Sequence, residues 1–110
     1  MNARDMFKEI GYELTLSDDD MMIYNQKTDY VDNSVFFHLG KNYPKSYDIW
    51  FVDWWDNKGD DWIPMSERET EWLKHCARYG HWQKVERAVG VDLHKAIHQQ
   101  MKELGWLNDR

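Results

Sequence analysis

Between residues 47 and 55 the chain reads Tyr47-Asp48-Ile49-Trp50-Phe51-Val52-Asp53-Trp54-Trp55, a run rich in β-branched and aromatic residues. This composition favours a half-buried β-strand. Because successive strand side chains point to opposite faces, Ile49 and Phe51 share one face, while Trp50 and Val52 share the other. Both faces are apolar. We therefore expect either that a second layer covers each face, or that one face is an exposed aromatic patch for a partner.

The residues before this run predict a short helix followed by strands. Asn2 and Asp5 have the spacing of a capping box, and Gly11 is a suitable helix end, so we expect a helix between them. Alternating apolar and polar residues then predict strands at 12–16, 21–27 and 34–39, ahead of the strand at 47–55. These strands are joined by short connections, which favours an antiparallel sheet.

The pattern becomes helical after residue 61. Ser66 and Glu69 form a second capping box, and apolar residues at helical spacing predict helices over 66–79, 82–89 and 92–104. The predicted fold is α+β: an N-terminal helix, an antiparallel sheet of about four strands, and two to three C-terminal helices packed on the sheet. We expect a single domain over 1–110, with an acidic helix-plus-sheet part at 1–61 and a helical part at 62–110.

Charge and composition limit the possible functions. The net charge is −6, but residues 1–61 carry 6 Lys+Arg against 13 Asp+Glu, whereas residues 62–110 carry 8 against 7. The acidic half disfavours contact with nucleic-acid phosphates and suits a basic protein partner. A single cysteine, Cys76, fits a reducing compartment. No apolar run approaches the ~18 residues of a membrane span, and the N-terminus lacks the basic-then-apolar order of a signal peptide. We therefore expect a cytoplasmic protein that does not enter a membrane.

Aspartates and tryptophans cluster near the predicted hairpin ends, and they form the candidate partner-binding site. Such a surface could imitate phosphates, with tryptophan side chains as anchors at the interface. The alternative is ordinary solvated turn chemistry, since Asp favours turns. The candidate residues are Asp18, Asp19, Asp20, Asp53, Trp54, Trp55, Asp56, Asp60, Asp61 and Trp62.

The spacing Cys76-x4-His81-x12-His94-x3-His98 resembles the ligand spacing of a zinc finger. The first half of such a finger should be a hairpin, yet residues 67–79 have a helical pattern. We therefore interpret the cysteine as a core residue and the histidines as surface residues. We predict no metal site and no cofactor.

Residues 81–104 also resemble a helix-turn-helix, which gives the alternative of a small DNA-binding regulator. The match is loose because Glu86 occupies a position where a small residue should pack. The local charge is also close to neutral, whereas a DNA-binding face is basic.

Catalytic motifs are not evident: the chain has no Gly-rich phosphate loop and no Gly-x-Ser-x-Gly, so we expect a non-enzyme. Residues 2–14 and 97–107 resemble the two ends of small proteins encoded by phages and prophages of Gram-positive bacteria. This resemblance implies phage origin and a host cytoplasm. Together these features predict a phage protein that inhibits a host protein by stoichiometric binding, in its most concrete form an anti-CRISPR protein that occupies the nucleic-acid groove of a nuclease.

Overall fold

The computed structural model describes residues 1–55 and 81–107, which form one antiparallel sheet and two helices. The sheet has five strands in the order β1-β2-β3-β4-β5, so each strand pairs with its neighbours in sequence. The predicted α+β class is confirmed. The elements are α1 (Ala3–Glu9), β1 (Glu13–Ser17), β2 (Met21–Lys27), β3 (Asp32–His38), β4 (Ser46–Trp55), β5 (His81–Val85) and α2 (Val91–Glu103).

The C-terminal half differs from the prediction. The predicted helix over 82–89 is wrong, because residues 81–85 form β5 and pair with β4 from Phe51↔Val85 to Trp55↔His81. The sheet therefore has five strands instead of about four, and 62–110 is not wholly helical. Where two to three C-terminal helices were expected, the described residues contain α2 alone. The predicted helix over 66–79 lies outside the described residues.

The helix ends follow the sequence signals, with one exception. The Asn2 side chain accepts a hydrogen bond from the backbone N–H of Asp5 at 2.8 Å, as an N-cap should. Gly11 and Gly105 adopt positive φ, +89° and +75°, just after the ends of α1 and α2. The helix predicted over 92–104 begins one residue earlier, at Val91: its N-cap is Gly90, which makes no side-chain cap hydrogen bond, and Asp92 lies in the first turn.

Both helices pack on the same face of the sheet, which we call the inner face. Phe7 of α1 stacks on Tyr24 of β2 with ring centroids 3.8 Å apart, and both rings meet Phe37 edge-on. Phe37 also contacts Trp106, which follows α2. Residues from both halves of the chain thus share one core. Its buried apolar residues are Phe7, Tyr12, Tyr24, Val35, Phe37, Phe51, Leu93, Ala96 and Ile97.

Polar contacts fix the helices on this face. The Tyr24 hydroxyl donates a buried 2.6 Å hydrogen bond to Oε1 of Gln100 in α2. The backbone N–H of Ala3, at the start of α1, donates to Oε2 of Glu103 at 2.7 Å. Because the first N–H groups of a helix have no partner within it, this contact satisfies a group that burial would otherwise leave unpaired. In the described ranges, no helix is both long and apolar enough to cross a membrane.

We expect Tyr24→Phe to lower the free energy of unfolding by about 1–3 kcal/mol, because Gln100 Oε1 would stay buried without its donor. Urea denaturation at neutral pH measures this. Tyr43→Phe is the matched control, since Tyr43 is 65% exposed, and it should change stability by less than about 0.5 kcal/mol. Equal losses in the two variants would contradict the role given to the buried hydroxyl.

Tyr24 also predicts a loss of stability at alkaline pH. Burial, together with the negative charge of Glu103, raises the pKa of Tyr24 to about 12 from an ordinary value of 10.0. Because the unfolded chain releases this proton first, the stability is fully present below the ordinary value and is lost as pH rises toward 12. The free energy of unfolding, measured against pH, should fall less steeply in Tyr24→Phe. An unchanged slope would count against this assignment.

Candidate functional site

The face of the sheet opposite the helices carries a continuous group of apolar side chains, which we call the outer face. It arises because β4 carries apolar side chains on both faces, as residues 47–55 indicated, and neighbouring strands add further apolar residues. Ser34, a polar residue, lies directly opposite Trp50 on the same face. Register aligns Leu16, Ile23 and Phe36 on three neighbouring strands. β4, the next strand of the sheet, adds Trp50 and Val52 to the same face. The apolar residues of the outer face are Leu16, Ile23, Phe36, Trp50, Val52 and Trp82.

A β-bulge in β1 contributes to this face. The pairing register shifts between Leu14, which lies opposite Tyr24, and Leu16, which lies opposite Ile23. The sequence alternation had suggested that Leu14 and Leu16 share a face. The inserted residue moves Leu16 to the outer face, where it is 42% exposed, because one extra residue reverses the side-chain alternation.

Trp50 lies in the middle of the outer face and is 46% exposed. Its ring meets Phe36 edge-on at 6.3 Å, and Lys84 Nζ of β5 lies 4.3 Å from the ring centroid. These contacts hold the indole in place while leaving almost half of its surface open. A rigid, partly exposed tryptophan among aliphatic and aromatic neighbours is typical of a protein-interaction site.

Charged side chains border the outer face on two sides. Lys84 lies beyond Trp50 on β5, and Asp48 lies two residues before Trp50 on β4. Asp48 Oδ2 is 2.8 Å from His38 Nε2, yet the Asp48 side chain remains 60% exposed. The other ring nitrogen of His38, Nδ1, is buried and has no hydrogen-bond partner. The outer face thus has a positive margin on one side and a negative one on the other.

The acidic turn at Asp18–Asp20 joins β1 to β2, as predicted, and two of its carboxylates accept hydrogen bonds. Asp18 Oδ1 accepts the backbone N–H groups of Asp20 and Met21, both at 2.8 Å. These bonds lower the pKa of the Asp18 carboxyl. The Asp20 carboxylate accepts from Asn42 Nδ2 through both oxygens, at 3.0 and 2.9 Å. Ordinary turn chemistry thus describes Asp18, whereas the Asp20 carboxylate links the turn to the connection between β3 and β4. Asp19 is exposed beside them.

Asp53 has a different environment. It lies on the helix side of β4, where Arg87 Nη2 approaches its two oxygens at 2.7 and 2.5 Å. The guanidinium also lies 5.5 Å from the Phe51 ring centroid. This ion pair connects β4 to the segment between β5 and α2. Asp53 was a sequence candidate but Arg87 was not, because the two residues are 34 positions apart and no local spacing relates them.

The predicted partner-binding aspartates that the structure describes do not form one acidic surface. The Asp18–Asp20 turn lies level with Ser46, at the beginning of β4, because Asp20 pairs with Leu39 and His38 pairs with Ser46. Asp53 is seven residues further along that strand, about 23 Å away at 3.3 Å per residue. Trp54 and Trp55 lie at the same end as Asp53, where their backbones pair with Trp82 and His81. The remaining candidates, Asp56, Asp60, Asp61 and Trp62, lie outside the described residues.

The other two sequence hypotheses have different outcomes. The helix-turn-helix arrangement at 81–104 is not formed, since residues 81–85 are a strand and α2 begins at Val91. For the zinc-finger spacing, Cys76 lies outside the described residues, while His94 and His98 are exposed on α2. Among residues 1–55 and 81–107, no three His, Cys, Asp or Glu side chains lie together as a metal site would need.

Comparison of the chain with protein-family models, with curated proteins and with solved structures finds no match.

Adjacent residues on β4 offer a matched test of the two faces. We expect Phe51→Ala, on the buried inner face, to cost about 3–5 kcal/mol of unfolding free energy. Trp50→Ala, on the outer face, should cost only about 1–2 kcal/mol, the worth of its contacts with Phe36 and Lys84. Urea denaturation of dilute protein compares the two. A larger loss for Trp50→Ala would mean that the outer face is part of the folding core.

Proposed function

We propose that this chain is a non-enzymatic protein that inhibits another protein by binding to it stoichiometrically through the outer face. The observation that carries the proposal is the exposed row around Trp50, held by Phe36 and Lys84 on a sheet whose described helices both cover the opposite side. A rigid sheet face with a central aromatic anchor supplies apolar area at little entropic cost. Nothing in this arrangement requires a reacting group.

The charge of the chain favours a basic partner. The outer face ends, at the row of Met21, His38 and Ser46, next to the acidic turn at Asp18–Asp20. A partner with apolar residues opposite Trp50 and basic residues opposite this turn would match both features. Proteins that hold nucleic acid present basic grooves of this kind, whereas nucleic acid itself would be repelled.

The most concrete form of the proposal is an anti-CRISPR protein or another inhibitor of a bacterial defence system. The resemblance of residues 2–14 and 97–107 to phage-encoded proteins supports it, and it would act in the cytoplasm of the host cell. The inhibitor would meet the nucleic-acid groove of a nuclease with the outer face and the acidic turn together. A single continuous acidic surface is not part of this proposal, because Asp53 is paired with Arg87 and lies about 23 Å further along the strand direction than the turn.

The experiment is an affinity pull-down from a lysate of a Gram-positive host, with bound proteins identified by mass spectrometry. We expect the wild-type chain to retain one major protein in equimolar amount, and Trp50→Ser to lose at least 90% of it. Tyr30→Ser is the matched control, since Tyr30 is a 66% exposed aromatic residue outside the outer face, and it should retain the protein fully. Circular dichroism spectra like that of the wild type, and cooperative urea unfolding with a native baseline under the pull-down conditions, would establish that both variants are folded.

Two results would contradict the proposal. If the wild-type chain retains no protein above background, the binding function fails. If Trp50→Ser retains as much as Tyr30→Ser, the outer face is not the contact. Mobility shifts with duplex DNA at low salt test the regulator alternative separately, since phosphate contacts strengthen as salt falls.

A further inference from the structure

We infer that α2 carries a binding site for an exchangeable divalent transition-metal ion, formed by the imidazoles of His94 and His98. Both residues are exposed on a helix that packs on the inner face of the sheet. The site therefore lies away from the outer face, and it neither uses nor requires the proposed function.

The helix brings the two imidazoles to one side. α2 runs without a break from Val91 to Glu103, so His94 and His98 lie four residues apart on one continuous helix. Residues at this spacing have Cβ atoms about 5–6 Å apart. Helical side chains lean toward the N-terminus of their helix, so the two rings lean in the same direction. One nitrogen of each ring can therefore reach the same ion, at about 2.1 Å from the metal.

The surroundings of the two rings leave their nitrogens available. His94 and His98 line one surface cavity of about 390 Å³. Among the described residues, neither ring makes a hydrogen bond or an ion pair. His38 is different, because its ring is largely buried, its Nε2 is bonded to Asp48 and its Nδ1 is inaccessible. The pair on α2 thus keeps the lone pairs that a metal ion needs, whereas His38 does not offer them.

The ligand set determines the kind of ion. Imidazole nitrogen suits Ni²⁺, Cu²⁺ and Zn²⁺, whereas Mg²⁺ and Ca²⁺ prefer oxygen ligands. In the part of the chain that the structure describes, no third His, Cys, Asp or Glu joins the pair. Water would complete the coordination, and the ion would exchange with the solvent. Lys95 lines the same cavity, and its positive charge weakens the binding of a cation. The pair is therefore an exchangeable site and differs from a structural metal centre.

An ion at this position would stabilise the beginning of α2. Gly90, the N-cap, makes no side-chain hydrogen bond to the first turn. The same part of the helix places Leu93, Ala96 and Ile97 in the core. The ion would connect one turn to the next in a geometry that the unfolded chain does not hold. A ligand that prefers the folded state raises stability, so metal should strengthen the attachment of α2 to the sheet.

Titration of the full chain with Ni²⁺, followed by two-dimensional NMR, tests the site. Ni²⁺ is paramagnetic, so it should broaden the amide signals around His94 and His98 at lower concentration than those around His38. His94→Gln and His98→Gln should each weaken this binding at least tenfold, because one of the two ligands is lost. Mg²⁺ at the same concentrations should leave the signals of α2 unchanged.

A spacing variant is the matched control. His98→Gln/Gln99→His keeps the number of histidines in α2 but separates them by five residues, which places them on different sides of the helix. It should bind Ni²⁺ as weakly as His98→Gln. Ni²⁺ should also raise the urea midpoint of the wild type and leave that of the spacing variant unchanged.

Two results would overturn the inference. One is broadening by Ni²⁺ that is no stronger around α2 than around His38. The other is a spacing variant that binds Ni²⁺ as tightly as the wild type. Neither result would bear on whether a lysate protein is retained in the pull-down.

Discussion

β4 is apolar on both faces, and the two described helices cover only one of them. This constraint organises the molecule. Ile49 and Phe51 join the core beneath α1 and α2, where Phe7 stacks on Tyr24. Trp50 and Val52 alternate with them and necessarily point the other way. When β4 buries alternate side chains on the inner face, the remaining side chains must lie on the outer face. The apolar residues that β4 contributes to the outer face therefore follow from its place in the sheet.

The outer face is exposed apolar surface, and its margins limit unspecific association. A bulge distorts the edge strand β1, and Lys84 lies on the other edge strand, β5. Bulges and charged residues at sheet edges discourage the addition of further strands. The net charge of −6 keeps copies apart at long range. These features together disfavour association from edge to edge.

Much of the fold could be predicted from local patterns, because the N-terminal half is a meander of short connections. The N-cap at Asn2, the glycine at the end of α1 and the alternation around Phe37 each depend on a few neighbouring residues. The helix predicted at 82–89 failed for the opposite reason. Trp82 and Val85 suit either a helix or a strand, and the choice is made by hydrogen bonds to β4, which is distant in sequence.

The same distinction between local and distant contacts explains which features of the outer face could be predicted from the sequence. The sequence indicated that residues 47–55 carry apolar residues on both faces, and it left open whether a second layer covers each face or one face is an exposed aromatic patch. It did not show that Phe36 meets Trp50, that Lys84 lies over the indole, or that the bulge moves Leu16 to the same face. The aspartates were grouped because they share a charge and lie near predicted hairpin ends. The structure separates them, since the turn at Asp18–Asp20 is level with the beginning of β4 and Asp53 is near its end.

Placing the contact on the outer face instead of on a continuous acidic surface changes what kind of binding is expected. An acidic surface would act mainly by long-range attraction, which salt screens over about 10 Å at 0.1 M. A contact centred on Trp50 depends on burial of apolar area, which salt does not weaken, with the acidic turn at Asp18–Asp20 adding orientation at one margin. The Asp18 carboxylate is bonded within the turn and the Asp20 carboxylate is bonded to Asn42, so both lose little freedom when a basic partner approaches. The apolar face would thus determine how long a partner stays bound, and the turn would influence how fast and in which orientation it arrives.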